Sequence, residues 1–392
     1  MSQEMIAAAA AFAQISKAVS NQAYCPLSFP DLPSSLNIEN MARALAEISS
    51  WPDYAATPLH SLPAIAAACG VKAVLYKDEA MRFGLGSFKA LGGAYAVANL
   101  ASQHRAAGRN VSELIVATAT DGNHGRSVSW GAQREGCAAK IFIHQQVSRA
   151  RQQAMQDLGA EVIRVKGNYE VSLRVCKEES DAHGWQLVSD TSWNGYRDIP
   201  IQVMAGYSVL ATETLQQMGD LQPSHAFLPV GVGSLAAGLV ARFWEVMGHR
   251  LCRIIAVESD MSACLQKSVE VNSPVLFDIS EETLMAGLSC GEVSQLAWEI
   301  LQSTLSHSLS ITDGAVVPLM RLLANGLDGS PSIEAGECST AGLAALLAAK
   351  RDTSLWAELE LDADSVVLLI GTEGATDPEL YRSVINDVGR RV

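Results

Sequence analysis

From about residue 88 the chain alternates between apolar runs and stretches with helical spacing. A helical stretch from Phe88 to Ala107 leads into the apolar strand Leu114-Ile115-Val116-Ala117. The turn Asp121-Gly122-Asn123-His124-Gly125 opens the next helix, near 126–135. Ala139 to Ile143 reads as a second strand, and Gly159 supplies a C-terminal stop for the helix that follows. Val162-Ile163 with Val165 is a third strand, 169–184 a third helix ending at Gly184, and Trp185 to Ser189 a fourth strand. The order β-α-β-α-β-α-β predicts a parallel sheet covered by helices.

Residues 190–204, with Trp193, Gly195 and Pro200, break that rhythm and read as a crossing segment. Alternation resumes with a helix at about 205–218 and the strand His225-Ala226-Phe227-Leu228-Pro229-Val230. The turn Gly231-Val232-Gly233-Ser234 then opens a helix that runs to Met247. Ile254 to Val257 is the next strand, and Val366 to Ile370 a late core strand followed by Gly371-Thr372-Glu373-Gly374. Two parallel-sheet units follow one another, and the residues before about 88 join the second. Ligands of open α/β sheets sit at the carboxyl ends of strands. The turns after Val116, Val230 and Ile370 are therefore where chemistry is expected.

Composition agrees with a large core and narrows the partners. The 392 residues are 48% hydrophobic and 18% charged, which suits two or three domains or one large α/β unit rather than disorder. Lys plus Arg number 28 against 42 Asp plus Glu, a net charge of −14. That balance argues against nucleic acid or an anionic membrane as partner, while leaving room for a local phosphate pocket. No stretch approaches the roughly 20 apolar residues of a membrane span. The alanine-rich run from Ala7 to Ala13 follows Gln3 and Glu4 with no Lys or Arg, so it reads as a helix of a cytoplasmic protein rather than a signal segment. The eight cysteines form no Cys-x-x-Cys pair, so no zinc site or disulfide scaffold is expected. Cys264 and Cys290, both in polar contexts, are candidates for an optional disulfide.

Three turns carry candidate chemistry. In Gly84-Leu85-Gly86-Ser87-Phe88-Lys89-Ala90-Leu91-Gly92-Gly93, Lys89 begins an otherwise apolar helix. A partly buried lysine has a lowered pKa and a free amine able to form a Schiff base, although any lysine can also snorkel to solvent. In Thr118-Ala119-Thr120-Asp121-Gly122-Asn123-His124-Gly125, backbone N–H groups can gather around a carboxylate and Asn123 can bond a ring hydroxyl. A plain strand-to-helix turn capped by Asp121 or Asn123 is the simpler alternative. Gly231-Val232-Gly233-Ser234 follows a strand and opens a helix, the geometry of a phosphate site. It also fits a dinucleotide fingerprint, Gly231-x-Gly233-x-x-Ala236 with Glu258 as the ribose-binding acid, which would make the chain an NAD-dependent dehydrogenase. That alternative leaves the Lys89 segment and the Asn123 turn unexplained.

Taken together, Ser87-Phe88-Lys89, Asp121-Gly122-Asn123-His124-Gly125 and Gly231-Val232-Gly233-Ser234 resemble the fold type II pyridoxal-phosphate enzymes, the tryptophan synthase β group. Further matches resemble the 2,3-diaminopropionate ammonia-lyases. These are Lys77-Asp78-Glu79, Arg82-Phe83-Gly84-Leu85, Asp190-Thr191-Ser192-Trp193 with Gly195-Tyr196, Met285-Ala286-Gly287-Leu288 with Cys290-Gly291-Glu292, and Thr372-Glu373-Gly374 with Thr376-Asp377. They run in order from about residue 75 to 382, so the resemblance covers most of the chain. Asp121 is its most specific position, since most fold type II relatives carry a hydroxyl or small residue there. The chain departs from the common pattern at Gly86, where Asn is frequent, and at Gly371, where Ser is frequent.

The resemblance implies two open, mainly parallel twisted sheets flanked by helices. It implies a large cofactor-binding domain of residues 1–90 with 206–392, a smaller α/β domain of 91–205 inserted in it, and a site in the cleft between them. Lys89 would hold pyridoxal 5'-phosphate, with Gly231, Val232, Gly233 and Ser234 on its phosphate, Asn123 on its ring hydroxyl and Thr372 facing its ring nitrogen. A neutral hydroxyl at that nitrogen favours prompt loss of a β-substituent. Ser87, Thr120, Asp121, Gly122, His124 and Asp190 would face the substrate. The implied reaction is α,β-elimination of D- or L-2,3-diaminopropionate to pyruvate and ammonia, with Lys89 as base for the L-isomer, Asp121 for the D-isomer and Asp190 in support. A serine or threonine dehydratase, or a protein that binds pyridoxal phosphate without turnover, is the alternative on the same fold. A cytoplasmic homodimer acting on a small amino acid, with no metal, completes the expectation.

Overall fold

The computed structural model describes residues 2–25, 36–120 and 122–386. Its strands in chain order are β1 (Ile15–Ser20), β2 (Leu59–Ser61), β3 (Ala73–Asp78), β4 (Ile115–Ala119), β5 (Ala138–His144), β6 (Glu161–Val165), β7 (Gln186–Leu187), β8 (His225–Pro229), β9 (Arg253–Ser259), β10 (Leu305–Ile311) and β11 (Val366–Gly371). Helices α1 (Ser2–Ala10), α2 (Ile38–Ser49) and α3 (Pro63–Cys69) come first, then α4 (Lys89–Ala106), α5 (Asn123–Glu135), α6 (Arg149–Gln156), α7 (Tyr169–His183), α8 (Asp198–Met218), α9 (Ser234–Met247) and α10 (Cys264–Val271).

The strands form two sheets. The larger has the order β1-β10-β9-β8-β11-β3-β2, and the smaller β6-β5-β4-β7. The small sheet is parallel throughout. In the large one β10, β9, β8, β11 and β3 are parallel, while β1 and β2 close the two edges antiparallel. Strands before residue 88 thus join the second unit, in agreement with the alternation. All six residues of β11 are buried, and they alternate between two cores. Val366, Leu368 and Ile370 enter one core, Val367 and Leu369 the other. That is the period of two expected of a strand covered on both faces. The first core continues through α4, α5 and α8 to Val116 and Ile141 of the small sheet, so one apolar mass supports both walls of the cleft.

Two elements differ from the sequence reading. Helix α8 starts at Asp198, inside the segment read as a crossing. Pro200 sits in its first turn, where backbone N–H groups have no intrahelical acceptor to lose, so the proline does not stop it. Strand β7 is only two residues long. Beyond it the Val188 N–H still reaches Ala117 O, at 2.7 Å, but the Ser189 N–H turns to the Tyr196 hydroxyl at 3.0 Å.

The Lys77-Asp78-Glu79 and Arg82 motifs form a buried ion network. Lys77 Nζ donates to Glu213 Oε2 at 2.8 Å and to Thr57 O at 2.8 Å. Arg82 Nη2 meets Glu213 Oε2 at 2.7 Å, and its Nε meets Glu79 Oε2 at 2.8 Å. All four charged side chains are at most 1% exposed. The network joins the carboxyl end of β3 to α8 and so fixes the loop that leads to Lys89. A buried pair adds little net stability over an apolar one, but removing one partner strands the other charge at a cost of about 3–5 kcal/mol. Glu213→Gln should therefore lower the unfolding free energy by about that amount in a denaturant titration. A loss within the ±0.5 kcal/mol usual for surface changes would contradict the reading.

Candidate active site

The cleft lies where the carboxyl ends of β4 and β7 face those of β8, β11 and β3. It encloses about 960 Å³ including its mouth. Lys89 is the first residue of α4, its N–H bonded to Ser87 Oγ at 3.2 Å. Ser87 pairs with Glu373 in an isolated bridge, which ties the start of α4 to the segment after β11. The Ser87 hydroxyl braces the helix start and lies outside the cleft wall.

Lys89 Nζ is paired with the Asp190 carboxylate. Burial acts against the charge on Lys89, but Asp190 beside it wins, and the amine is held well above its usual range. The expected depressed lysine is thus overturned by its partner. Burial likewise opposes the charge on Asp190, and Lys89 overrides it, bringing the carboxyl down to about 2. The Asp190 carbonyl accepts a 2.5 Å bond from Ser234 Oγ, at the first residue of α9. One residue thus joins the small sheet's edge to the large sheet's central helix.

The turn after β4 is held from within. Thr120 Oγ1 accepts the N–H groups of Gly122 at 3.0 Å and Gly125 at 3.2 Å. Asp121 lies outside the described residues. Asn123 begins α5, and its Nδ2 donates to the Glu373 carboxylate. His124 is buried, and its Nε2 donates to Val188 O at 2.9 Å. Burial keeps the ring neutral, so Nδ1 is an acceptor, and among the described residues no group satisfies it. Thr372 lines the cleft with its hydroxyl 3.4 Å from that of Ser339.

Opposite, Gly231-Val232-Gly233-Ser234 forms the turn into α9. Gly233 has φ +91°, and a Cβ there would lie 3.0 Å from Ala297 Cβ. A Cβ on Gly231 would stand 3.0 Å from Gly287 O and 3.1 Å from Cys290 Sγ. The chain can therefore pass close to the cleft only as glycine. The first N–H groups of α9 have no intrahelical acceptors and point their dipole into the cleft, which suits a phosphate. An amine, an unsatisfied imidazole acceptor and a helix N-terminus around one cleft fit a phosphorylated aldehyde.

The two departures from the common pattern have physical reasons. Gly86 has φ +78°, a region that Gly and Asn share. Gly371 lies against Tyr76, whose ring would be 2.4 Å from an added Cβ, so a serine has no room there. The dinucleotide alternative fails at its acid. Glu258 is fully buried and accepts the N–H groups of Leu265 at 2.8 Å and Gln266 at 2.7 Å, capping α10 instead of facing a ribose. Cys264 is buried and Cys290 is on the cleft wall, both as thiols. Sequence reasoning did not anticipate Arg151 and Tyr169, which the small sheet's helices bring to the cleft from outside any motif. Glu373 and Ala286 to Leu288 also line it, and they do belong to quoted motifs.

A family model described as pyridoxal-phosphate dependent enzyme matches residues 51–371, so fold and cleft are those of that class and its cofactor is pyridoxal phosphate. The diaminopropionate ammonia-lyase of Escherichia coli K12 is 38% identical over 351 residues, covering 85% of this chain and 87% of the relative. The crystal structure of the E. coli diaminopropionate ammonia-lyase in complex with D-serine matches with a TM-score of 0.87 at 34% identity, covering 95% of this chain and 97% of that one. The biosynthetic L-threonine dehydratase of E. coli K12 is 30% identical over 237 residues, covering 60% of this chain but 42% of that protein. The chain belongs to the diaminopropionate ammonia-lyase family of pyridoxal-phosphate-dependent enzymes.

Proposed function

We propose that this chain eliminates ammonia from 2,3-diaminopropionate, with one water consumed and one pyruvate and two ammonia formed. The observation that carries the proposal is the half-buried Lys89–Asp190 pair, set between a helix N-terminus suited to a phosphate and the Asn123 turn. The identity to the E. coli lyase along most of both chains supports it. The threonine dehydratase match spans much less of its partner and gives the dehydratase alternative weaker support. Pyridoxal phosphate, when bound, supplies the electron sink that lets Cα lose a proton and Cβ lose its substituent.

The chain's own residues do the rest. Lys89 Nζ anchors the cofactor's aldehyde carbon, and Gly231, Val232, Gly233 and Ser234 hold its phosphate. Asn123 would bond the ring hydroxyl, and Thr372 would offer its hydroxyl to the ring nitrogen. With the cofactor bound, Lys89 would take the Cα proton of the L-isomer, and Asp121 that of the D-isomer. Asp190, freed from Lys89, holds the cationic β-amine or steadies Asp121. Thr120, Gly122 and His124 shape the substrate side. Residues 1–90 with 206–392 form the cofactor lobe and 91–205 the smaller lobe. The resemblance also carries to this chain a cytoplasmic homodimer acting on a free amino acid.

The test is stoichiometric. With 2,3-diaminopropionate the purified enzyme should form two ammonia per pyruvate, and it should act more slowly on serine, which yields one. Faster pyruvate formation from serine would favour the dehydratase, and no pyruvate from either would remove the enzymatic reading. The phosphate site has its own test. Gly233→Asp places a carboxylate at the α9 N-terminus, in a strained and crowded position. Cofactor retention should fall at least about tenfold, the equivalent of ~1.4 kcal/mol. Undiminished retention after dialysis, read from the visible spectrum, would move the phosphate elsewhere.

A further inference from the structure

Glu373, just beyond β11, is 5% exposed on the cleft wall, and its backbone is clamped from both sides. Ser339 Oγ accepts its N–H at 2.7 Å and donates to its carbonyl at 2.6 Å. The same carbonyl takes the Gly336 N–H at 2.9 Å. The side chain runs along Gly336, where an added Cβ would stand 2.8 Å from its Cγ and 3.4 Å from its Cδ. Its carboxylate is therefore fixed in place by the surrounding chain. Two donors meet it, the Cys338 N–H at Oε1, 3.2 Å away, and Asn123 Nδ2 at Oε2. The second contact ties the segment after β11 to the first residue of α5.

An asparagine amide can face a ligand with either end, its NH2 donating or its oxygen accepting. A carboxylate only accepts, so Glu373 takes one Nδ2 hydrogen and excludes the flipped amide, in which oxygen would face oxygen. The other Nδ2 hydrogen is left for the cleft. We propose that Glu373 is a positioning residue for Asn123, locking its amide with the NH2 end toward the ring hydroxyl of pyridoxal phosphate. This rests on the Asn123 contact proposed above. A ring oxygen that carries negative charge is stabilised by a donor and repelled by an amide oxygen, so the orientation decides affinity. Capping the Cys338 N–H does not by itself account for the acid, because a glutamine oxygen would cap it equally well.

Glu373→Gln is the test, because the Cys338 N–H decides which way the new amide faces. Glutamine must turn its oxygen to that donor, which leaves its NH2 toward Asn123 and flips the Asn123 amide. Holoenzyme and its variants are dialysed against graded pyridoxal phosphate, and the bound fraction is read from the visible band. Glu373→Gln should raise the dissociation constant about tenfold, the scale of one hydrogen bond to a charged group. Asn123→Ala should also weaken binding, and adding Glu373→Gln to it should cost nothing more, because the residue being positioned is gone. The melting temperature at saturating cofactor should stay close to that of the wild type, since Gln has the shape of Glu. The field of the carboxylate has the opposite sign, because removing a negative charge beside an anionic cofactor would tighten binding. Unchanged or tighter binding in Glu373→Gln therefore overturns the inference. An equal loss with and without Asn123, or a collapsed melting temperature, makes Glu373 a structural residue and overturns it too. Undiminished binding in Asn123→Ala removes the Asn123 contact and this inference with it, while pyruvate formation by the wild type judges the reaction separately.

Discussion

Lys89→Ala should leave a colourless protein that forms no pyruvate from either isomer of 2,3-diaminopropionate. The side chain starts α4 in an otherwise buried stretch, and its amine is paired with Asp190 on the cleft wall. Losing a positioned general base costs roughly 10²–10⁴-fold by itself. Losing the covalent hold on the cofactor adds to that. The fold should persist, because Lys89 is partly exposed and Ala is a good residue for a helix start. A colourless variant with a wild-type melting temperature separates chemistry from folding. A variant that retained covalently held cofactor would contradict the assignment.

Asp121→Asn should discriminate between enantiomers. Two isomers bound by the same carboxylate and amine contacts present their Cα hydrogens to opposite faces of the cofactor. One base cannot reach both within hydrogen-bond distance. Asn keeps the size and polarity of Asp but not its basicity. Turnover of D-2,3-diaminopropionate should therefore fall by roughly 10²–10⁴-fold, with a much smaller loss on the L-isomer. Pyruvate formation on each isomer reads the contrast directly. Equal losses would give Asp121 a binding or structural role, and an unchanged D-rate would turn attention to Asp190.

The parallel strands around the site were legible because they are apolar runs closed by glycine turns, as β4, β8 and β11 are. Strand β10 was not, because its sequence Leu-Ser-His-Ser-Leu-Ser-Ile carries polar residues into a fully buried ladder. Two of its serines find partners only after folding, Ser306 Oγ in Ile254 O at 3.0 Å and Ser308 Oγ in Glu258 Oε2 at 3.2 Å. Strand β1 was hidden for the opposite reason, as a largely exposed edge strand with no apolar face. In the site, the three turns were readable one by one because each has its own glycine and polar pattern. What no local pattern states is which distant side chain completes them. Asp190 reaches Lys89 across 101 positions, and Glu373 reaches Asn123 across 250. The Lys77–Glu213 pairing belongs to that same group, since it forms only when α8 packs beside β3.

The most direct measurement is borohydride reduction of the cofactor-loaded enzyme followed by peptide mapping. Reduction fixes the cofactor to whichever amine holds it. The phosphopyridoxyl group should be found on the peptide bearing Lys89 and on no other, with the visible band lost in step with activity. Recovery on any other lysine, or full activity after complete reduction, would contradict the account.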